Sequence, residues 1–136
     1  MQLHASCIAL AGRGLLILGP SGAGKSVLAL ELMAFGCALV ADDRVDLRRD
    51  GDRLVASAPP QLSGLIEARH VGLLQADALA SVPLVLAVDL ARREVERLPH
   101  IRQFDLLGCH LDLVLGAGNP HLSPALLQYL RGGRQA

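Results

Sequence analysis

Gly19-Pro20-Ser21-Gly22-Ala23-Gly24-Lys25-Ser26 decides how this chain is read. The octet fits G-x-x-x-x-G-K-[ST] at every fixed position. The apolar run Leu15-Leu16-Ile17-Leu18 precedes it, and Val27-Leu28-Ala29-Leu30-Glu31-Leu32-Met33 follows. Strand, glycine-rich loop and helix in that order are the context in which the motif binds phosphate. Glycines let the backbone curl so that successive N–H groups point inward as an anion nest. The helix start adds unspent N–H donors and the positive end of its dipole. Lys25 is placed to reach the β- and γ-phosphates of a nucleotide, and the Ser26 hydroxyl to bind Mg²⁺. All eight residues, Gly19, Pro20, Ser21, Gly22, Ala23, Gly24, Lys25 and Ser26, are therefore candidate nucleotide contacts.

The rest of the chain sets the frame for that loop. Its 136 residues suit one domain, 1–136, and a 51% hydrophobic content suits a real core. Phe35, Phe104 and Tyr129 are the only aromatics, so the core is aliphatic. Basic and acidic residues balance at 13 each, which argues against a nucleic-acid partner. No apolar run reaches the length of a membrane span, no signal-peptide pattern opens the chain, and a cytoplasmic location is expected. Cys7, Cys37 and Cys109 fit neither a zinc pattern nor a disulfide framework and read as buried free thiols.

Working outward, residues 3–10 and 15–18 read as a hairpin around Gly12-Arg13-Gly14. Lys25 to Phe35 reads as a helix apolar almost all round, with Gly36 at its C′ position. Cys37 to Ala41 reads as a central parallel strand buried on both faces. Strand, helix and strand make a crossover, so Asp42-Asp43 leaves the sheet at the edge where the loop lies, and ligands bind at that edge. If the strand runs straight, only one of the two aspartates faces the nucleotide. Arg44 to Ala58, with Asp50-Gly51 as its turn, reads as an inserted antiparallel hairpin with a solvated tip. Glu67 and Arg69 share a face if the run is extended, and read from the residues alone they are a candidate surface ion pair. Residues 92–97 are a mixed charge run expected on a solvated face. Residues 98–107 read as a connection and 109–115 as a strand. Ser123 is expected to cap a helix over 125–131, with Pro124 at its first position. The fold expected is α/β: a phosphate-loop sheet with helices packed on it and an inserted β-hairpin.

Several stretches together resemble the catalytic domain of bacterial HPr kinase/phosphorylase. These are Leu3-His4-Ala5, Gly19 to Ser26, Leu39-Val40-Ala41-Asp42-Asp43, Ala58-Pro59, and Leu65-Ile66-Glu67-Ala68-Arg69-His70-Val71-Gly72-Leu73-Leu74. The last is similar to the family signature I-E-x-R-G-x-G, with His70 where the signature has glycine. The family has an arginine in a P-G-R-N stretch where this chain reads Ala117-Gly118-Asn119.

The resemblance implies an ATP- and Mg²⁺-dependent kinase. Such an enzyme phosphorylates a serine of HPr, the small carrier of the sugar phosphotransferase system, and removes that phosphate by phosphorolysis. It also implies a homo-oligomer. Residue by residue it places His4, Lys25, Asp42, Asp43 and Arg69 in the catalytic set and makes Ser26 and Glu67 the metal ligands. Of the aspartate pair, Asp43 is favoured as the group that accepts the serine proton. Two other readings stand beside this one: an enzyme of the same kind with a different acceptor, and a nucleotide-binding sensor without turnover.

Overall fold

The computed structural model describes residues 1–136. β1 (Gln2–Leu3), β2 (Ser6–Leu10) and β3 (Arg13–Leu18) lead through the loop into α1 (Lys25–Ala34). β4 (Ala38–Ala41), β5 (Val45–Asp50) and β6 (Arg53–Ser57) follow, then a 3-10 turn at Pro60–Leu62. β7 (Leu65–Ala68) and β8 (Gly72–Gln75) form a separate two-stranded hairpin. β9 (Ser81–Asp89), β10 (Arg102–Leu106), β11 (Cys109–Leu115) and α2 (Leu122–Gly132) complete the chain.

The main sheet runs β1-β5-β6-β9-β3-β2-β4, with β11 and then β10 attached to β9 off that path. β9 is its central strand. β3 and β11 pair with it in parallel, and β6 pairs antiparallel with its first residues. The sheet is buried on both faces, which explains why β2, β3 and β9 read as nearly unbroken apolar runs. One side chain in two points to the helical layer, where Ile8, Leu15, Ile17 and Leu86 meet Leu28 and Leu32 of α1 and Leu126 and Leu130 of α2. The alternate set, including Cys7, Leu16 and Ala87, packs against Val45, Leu54 and Leu111 inside the curl of the sheet. The three cysteines are free and buried, and burial pushes the Cys7 thiol up.

The expected α/β fold is the one observed, with several corrections of detail. The first hairpin turns at Ala11-Gly12, not around Arg13. Both residues have positive φ, 51° and 75°, as a two-residue turn between twisted strands requires. The run Cys37–Ala41 is not a central parallel strand. β4 lies at the sheet edge and pairs antiparallel with β2. It is apolar because its edge is covered: Leu79 N–H donates to Leu39 O, and Ala78 bridges Leu39. The hairpin β5–β6 is a continuous part of the main sheet, turning at Gly51-Asp52. Residues 102–106, read as part of a connection, form β10 against β11. α1 is less buried than its composition suggests, with Val27 and Phe35 half exposed. α2 begins at Leu122 without a side-chain cap, and the Ser123 hydroxyl donates to Glu31 of α1 instead. No helix is long and apolar enough to cross a membrane.

Strand direction places the site. β3 and β4 both run antiparallel to β2, so their carboxyl ends share an edge although they are not neighbours. β2 runs the other way, so its first residues arrive at that same edge.

Candidate active site

The loop leaves β3 at Gly19 and re-enters regular structure at Lys25. Gly22 and Gly24 have φ of 84° and 98°, a region open to glycine at little cost. At Gly19, φ 151°, an added Cβ would stand 3.1 Å from Ala23 Cβ, so the turn is also sterically closed. The N–H groups of Gly22, Gly24, Lys25 and Ser26 donate to no other group of the chain. They are the cradle expected of a phosphate loop. Lys25 is buried, and its Nζ donates to Gly19 O at 2.7 Å and Pro20 O at 3.0 Å. The cation is thus held across the loop that it would serve.

Asp42 and Asp43 follow β4, but the strand does not run straight on. Arg44 N–H donates to Asp42 O at 2.8 Å across Asp43, whose φ is 70°. A three-residue turn with a positive central φ is rare and strained, of the kind that collects at functional sites. Ala5 N–H, donating to Asp43 O at 3.2 Å, pins it from the other side. The turn replaces the alternation expected of a strand; only Asp43 lines the cleft, and Asp42 meets the site from behind through hydrogen bonds.

They do so differently. Asp42 is 5% exposed and lies beneath the cleft wall. Its Oδ1 accepts from the Ser6 and Ser26 hydroxyls, both at 2.7 Å, and its Oδ2 accepts from Glu67 N–H at 3.1 Å. Asp43 stands in the open, 2.6 Å from His4 Nε2, with the two side chains 59% and 55% exposed. A cleft of about 160 Å³ is lined by His4, Lys25, Ser26, Asp43, Glu67 and Arg69 together with Ser6 and loop residues. Of the residues singled out in the sequence, Asp42 stands behind that lining, as do Gly19, Pro20 and Ala23 of the loop. Glu67 and Arg69 both face the cleft and form no ion pair with each other. Arg69 opens the turn between β7 and β8. His70, next in that turn, has φ 68°, which is the conformation a signature glycine would take freely.

Ser6 is the site residue that sequence reading missed. It is a lone hydroxyl at the start of an apolar strand, two positions after His4, and both residues line the cleft. That spacing was the available signal.

No group of three His, Cys, Asp or Glu side chains forms a metal cage. The Ser26 and Glu67 oxygens are hard donors lining one cleft, which suits a cation shared with a nucleotide. Mg²⁺ is usually bound through one or two carboxylates plus substrate phosphates.

Fold and site together define a phosphate-loop nucleotide-binding domain with carboxylates at the mouth of the loop. The chain belongs to the HPr serine kinase C-terminal domain family, whose model matches residues 1–90. It is 41% identical over 126 residues to the HPr kinase/phosphorylase of Cupriavidus metallidurans, covering 84% of this chain and 39% of that protein. It is 40% identical over 87 residues to the HPr kinase/phosphorylase of Clostridium tetani, covering 64% of this chain and 28% of that protein. The chain therefore spans less than half the length of these curated relatives. The solved structure of the Hpr(Ser) kinase/phosphatase from Coxiella burnetii shares the fold, with a TM-score of 0.81 at 24% identity over 96% of this chain and 94% of that one.

Proposed function

We propose that residues 1–136 are a catalytic domain that uses ATP and Mg²⁺ to phosphorylate a serine of an HPr-type phosphocarrier protein. The observation that carries this reading is the presence of Asp43, an exposed carboxylate held in a strained turn, in the same cleft as the phosphate loop. A loop that only bound nucleotide would need no such group.

Phosphoryl transfer requires positioning and charge neutralisation more than covalent help. The four unspent loop amides and Lys25 receive the phosphates. Lys25 Nζ exchanges its two carbonyl partners for phosphate oxygens. Ser26 and Glu67 offer oxygens to Mg²⁺, which when bound neutralises charge on the β- and γ-phosphoryl groups. Asp43 accepts the proton of the incoming serine hydroxyl as the oxygen attacks phosphorus. His4 holds the Asp43 carboxylate in orientation. Arg69 adds a guanidinium at the cleft rim, where a phosphoryl group passes from donor to acceptor. In the reverse direction, which the relatives' names include, Asp43 returns that proton to the departing serine oxygen.

The test is a transfer assay. The chain is incubated with ATP, Mg²⁺ and purified HPr, and the mass of HPr is followed. A single added phosphate on serine is expected, and its loss on adding inorganic phosphate would establish the reverse reaction. An unchanged HPr mass, with nucleotide binding intact, refutes the assignment of acceptor.

A further inference from the structure

Asp42 is the best-connected polar group of the site, and one of its three donors has no part in the scheme above. Ser6 is buried at the floor of the cleft and its hydroxyl proton is committed to Asp42, so it acts on a ligand chiefly through that neighbour. Its hydroxyl donates to Asp42 Oδ1 at 2.7 Å, beside the Ser26 hydroxyl at the same distance. The third donor, Glu67 N–H, takes the other oxygen. The three donors come from β2, α1 and β7, and no lysine or arginine forms an ion pair with this buried carboxylate. Its orientation is therefore set by hydrogen bonds alone.

An ionised carboxylate only accepts. The Ser26 hydroxyl must spend its proton on Asp42, which leaves its lone pairs free for the cleft that Ser26 lines. A lone pair aimed at the cleft is what a cation needs from Ser26. We propose that Ser6 is a positioning residue for metal–nucleotide binding. Its hydroxyl fixes the plane of the Asp42 carboxylate, and that plane fixes both the Ser26 hydroxyl and the backbone at Glu67. Without Ser6, Oδ1 keeps one protein donor, and cleft water replaces the other without fixing a direction. The inference rests on the phosphate-loop reading of the site but not on the identity of the acceptor.

The test separates metal-dependent from metal-independent binding. ATP is titrated calorimetrically into the wild-type chain and Ser6→Ala, with excess Mg²⁺ and again with excess EDTA. Loss of one hydrogen bond to a charged group is expected to weaken Mg-ATP binding about tenfold and leave metal-free ATP binding unchanged. A loss under about threefold in Mg²⁺, or an equal loss in EDTA, overturns the proposal, because a merely structural serine moves both titrations together. Ser26→Ala and the double variant complete a cycle. Ser6→Ala should cost clearly less once the Ser26 hydroxyl is gone, leaving only the branch through the Glu67 backbone, and full additivity overturns the route through Asp42. If the wild-type chain binds ATP in neither buffer, the phosphate-loop reading itself fails and takes this inference with it. Failed transfer to HPr with intact Mg-ATP binding touches only the acceptor.

Discussion

Replacing Asp43 by asparagine should leave the domain folded and its nucleotide site intact while removing most of the transfer rate. The structure supplies both halves of that expectation. Asparagine tolerates positive φ at least as well as aspartate, so the turn at 70° survives. The flanking backbone hydrogen bonds, Ala5 N–H to Asp43 O and Arg44 N–H to Asp42 O, involve no Asp43 side-chain atom. The His4 contact is more than half exposed on both sides, and an exposed contact of this kind contributes at most roughly 0–1 kcal/mol. General-base catalysis contributes roughly 10²–10⁴ in rate, which at about 1.36 kcal/mol per decade is roughly 3–5 kcal/mol of barrier. The catalytic effect thus exceeds the structural one severalfold. Asp43→Ala is the poorer variant, because a left-handed alanine adds roughly 1–2 kcal/mol of backbone strain. The assay is the initial rate of HPr phosphorylation at saturating Mg-ATP, beside ATP affinity and the urea unfolding midpoint. A rate within about threefold of wild type removes Asp43 from the role of base, whose loss should cost at least about a hundredfold. A fall in affinity as large as the fall in rate would show a collapsed site instead.

Three other measurements bear on the fold around that site. Gly14→Ala would put a Cβ 2.7 Å from Val82 Cγ1 and 2.9 Å from Leu84 Cδ2 between β3 and β9, and should cost about 1–3 kcal/mol in urea unfolding. An unchanged midpoint would mean that the two strands are less closely apposed. Tyr129 is the chain's one tyrosine; burial, and then the Asp112 carboxylate that its hydroxyl meets at 2.9 Å, push its pKa up to about 12. Absorbance titration of the native chain should place phenolate formation near there, not at the ordinary 10.0. Because the folded value is raised, the associated stability is complete below the unfolded pKa and is lost as pH rises through the folded one. Glu94 shows the opposite sign. The Arg102 guanidinium hydrogen bonds lower its pKa from 4.5 to about 2. That contribution is present above the unfolded value and is lost as pH falls toward the folded one, so Arg102→Gln should flatten the acid limb of the stability profile across that window. An unaltered acid limb would exclude the pair as its source.

How much of this was legible beforehand follows the range of the forces involved. The phosphate loop was readable because its constraints are local: three glycines free to take positive φ, one lysine and one hydroxyl at fixed spacing. β4 was misplaced because an apolar run reports burial and not partner or direction. Its cover, Leu79 and Ala78, lies far along the chain. β10 was missed for a related reason. Arg102 to Leu106 mixes polar and apolar residues on a half-exposed strand, and only its pairing with β11 makes it regular. The aspartate pair stood out in the sequence and the resemblance favoured Asp43 of the two, but the residues alone did not show how each meets the cleft. Alternation along a straight strand allows one of the two to face the site, and the turn at Asp43 that holds it open to the cleft above a buried Asp42 has no signature in Asp-Asp-Arg. Ser6 was passed over because a single hydroxyl in a buried strand is ordinary until its acceptor is known.

The central position of β9 bears on how the chain acquires its site during synthesis. Gly14 to Leu18 pair with Leu84 to Asp89, so the strand that anchors the phosphate loop lacks its parallel neighbour until the chain has grown well past the loop. Such pairing demands that a long intervening stretch be brought round first, which makes assembly slow relative to local structure. The carboxylates of Asp42 and Asp43 are in place on the nascent chain before β9 exists to stiffen the loop. A ribosome-bound intermediate ending before residue 80 would carry the whole motif and still lack a rigid anion cradle. Pairing of β3 with β9 is therefore a late step in the assembly of this domain, set by topology and not by the order in which the loop residues are made.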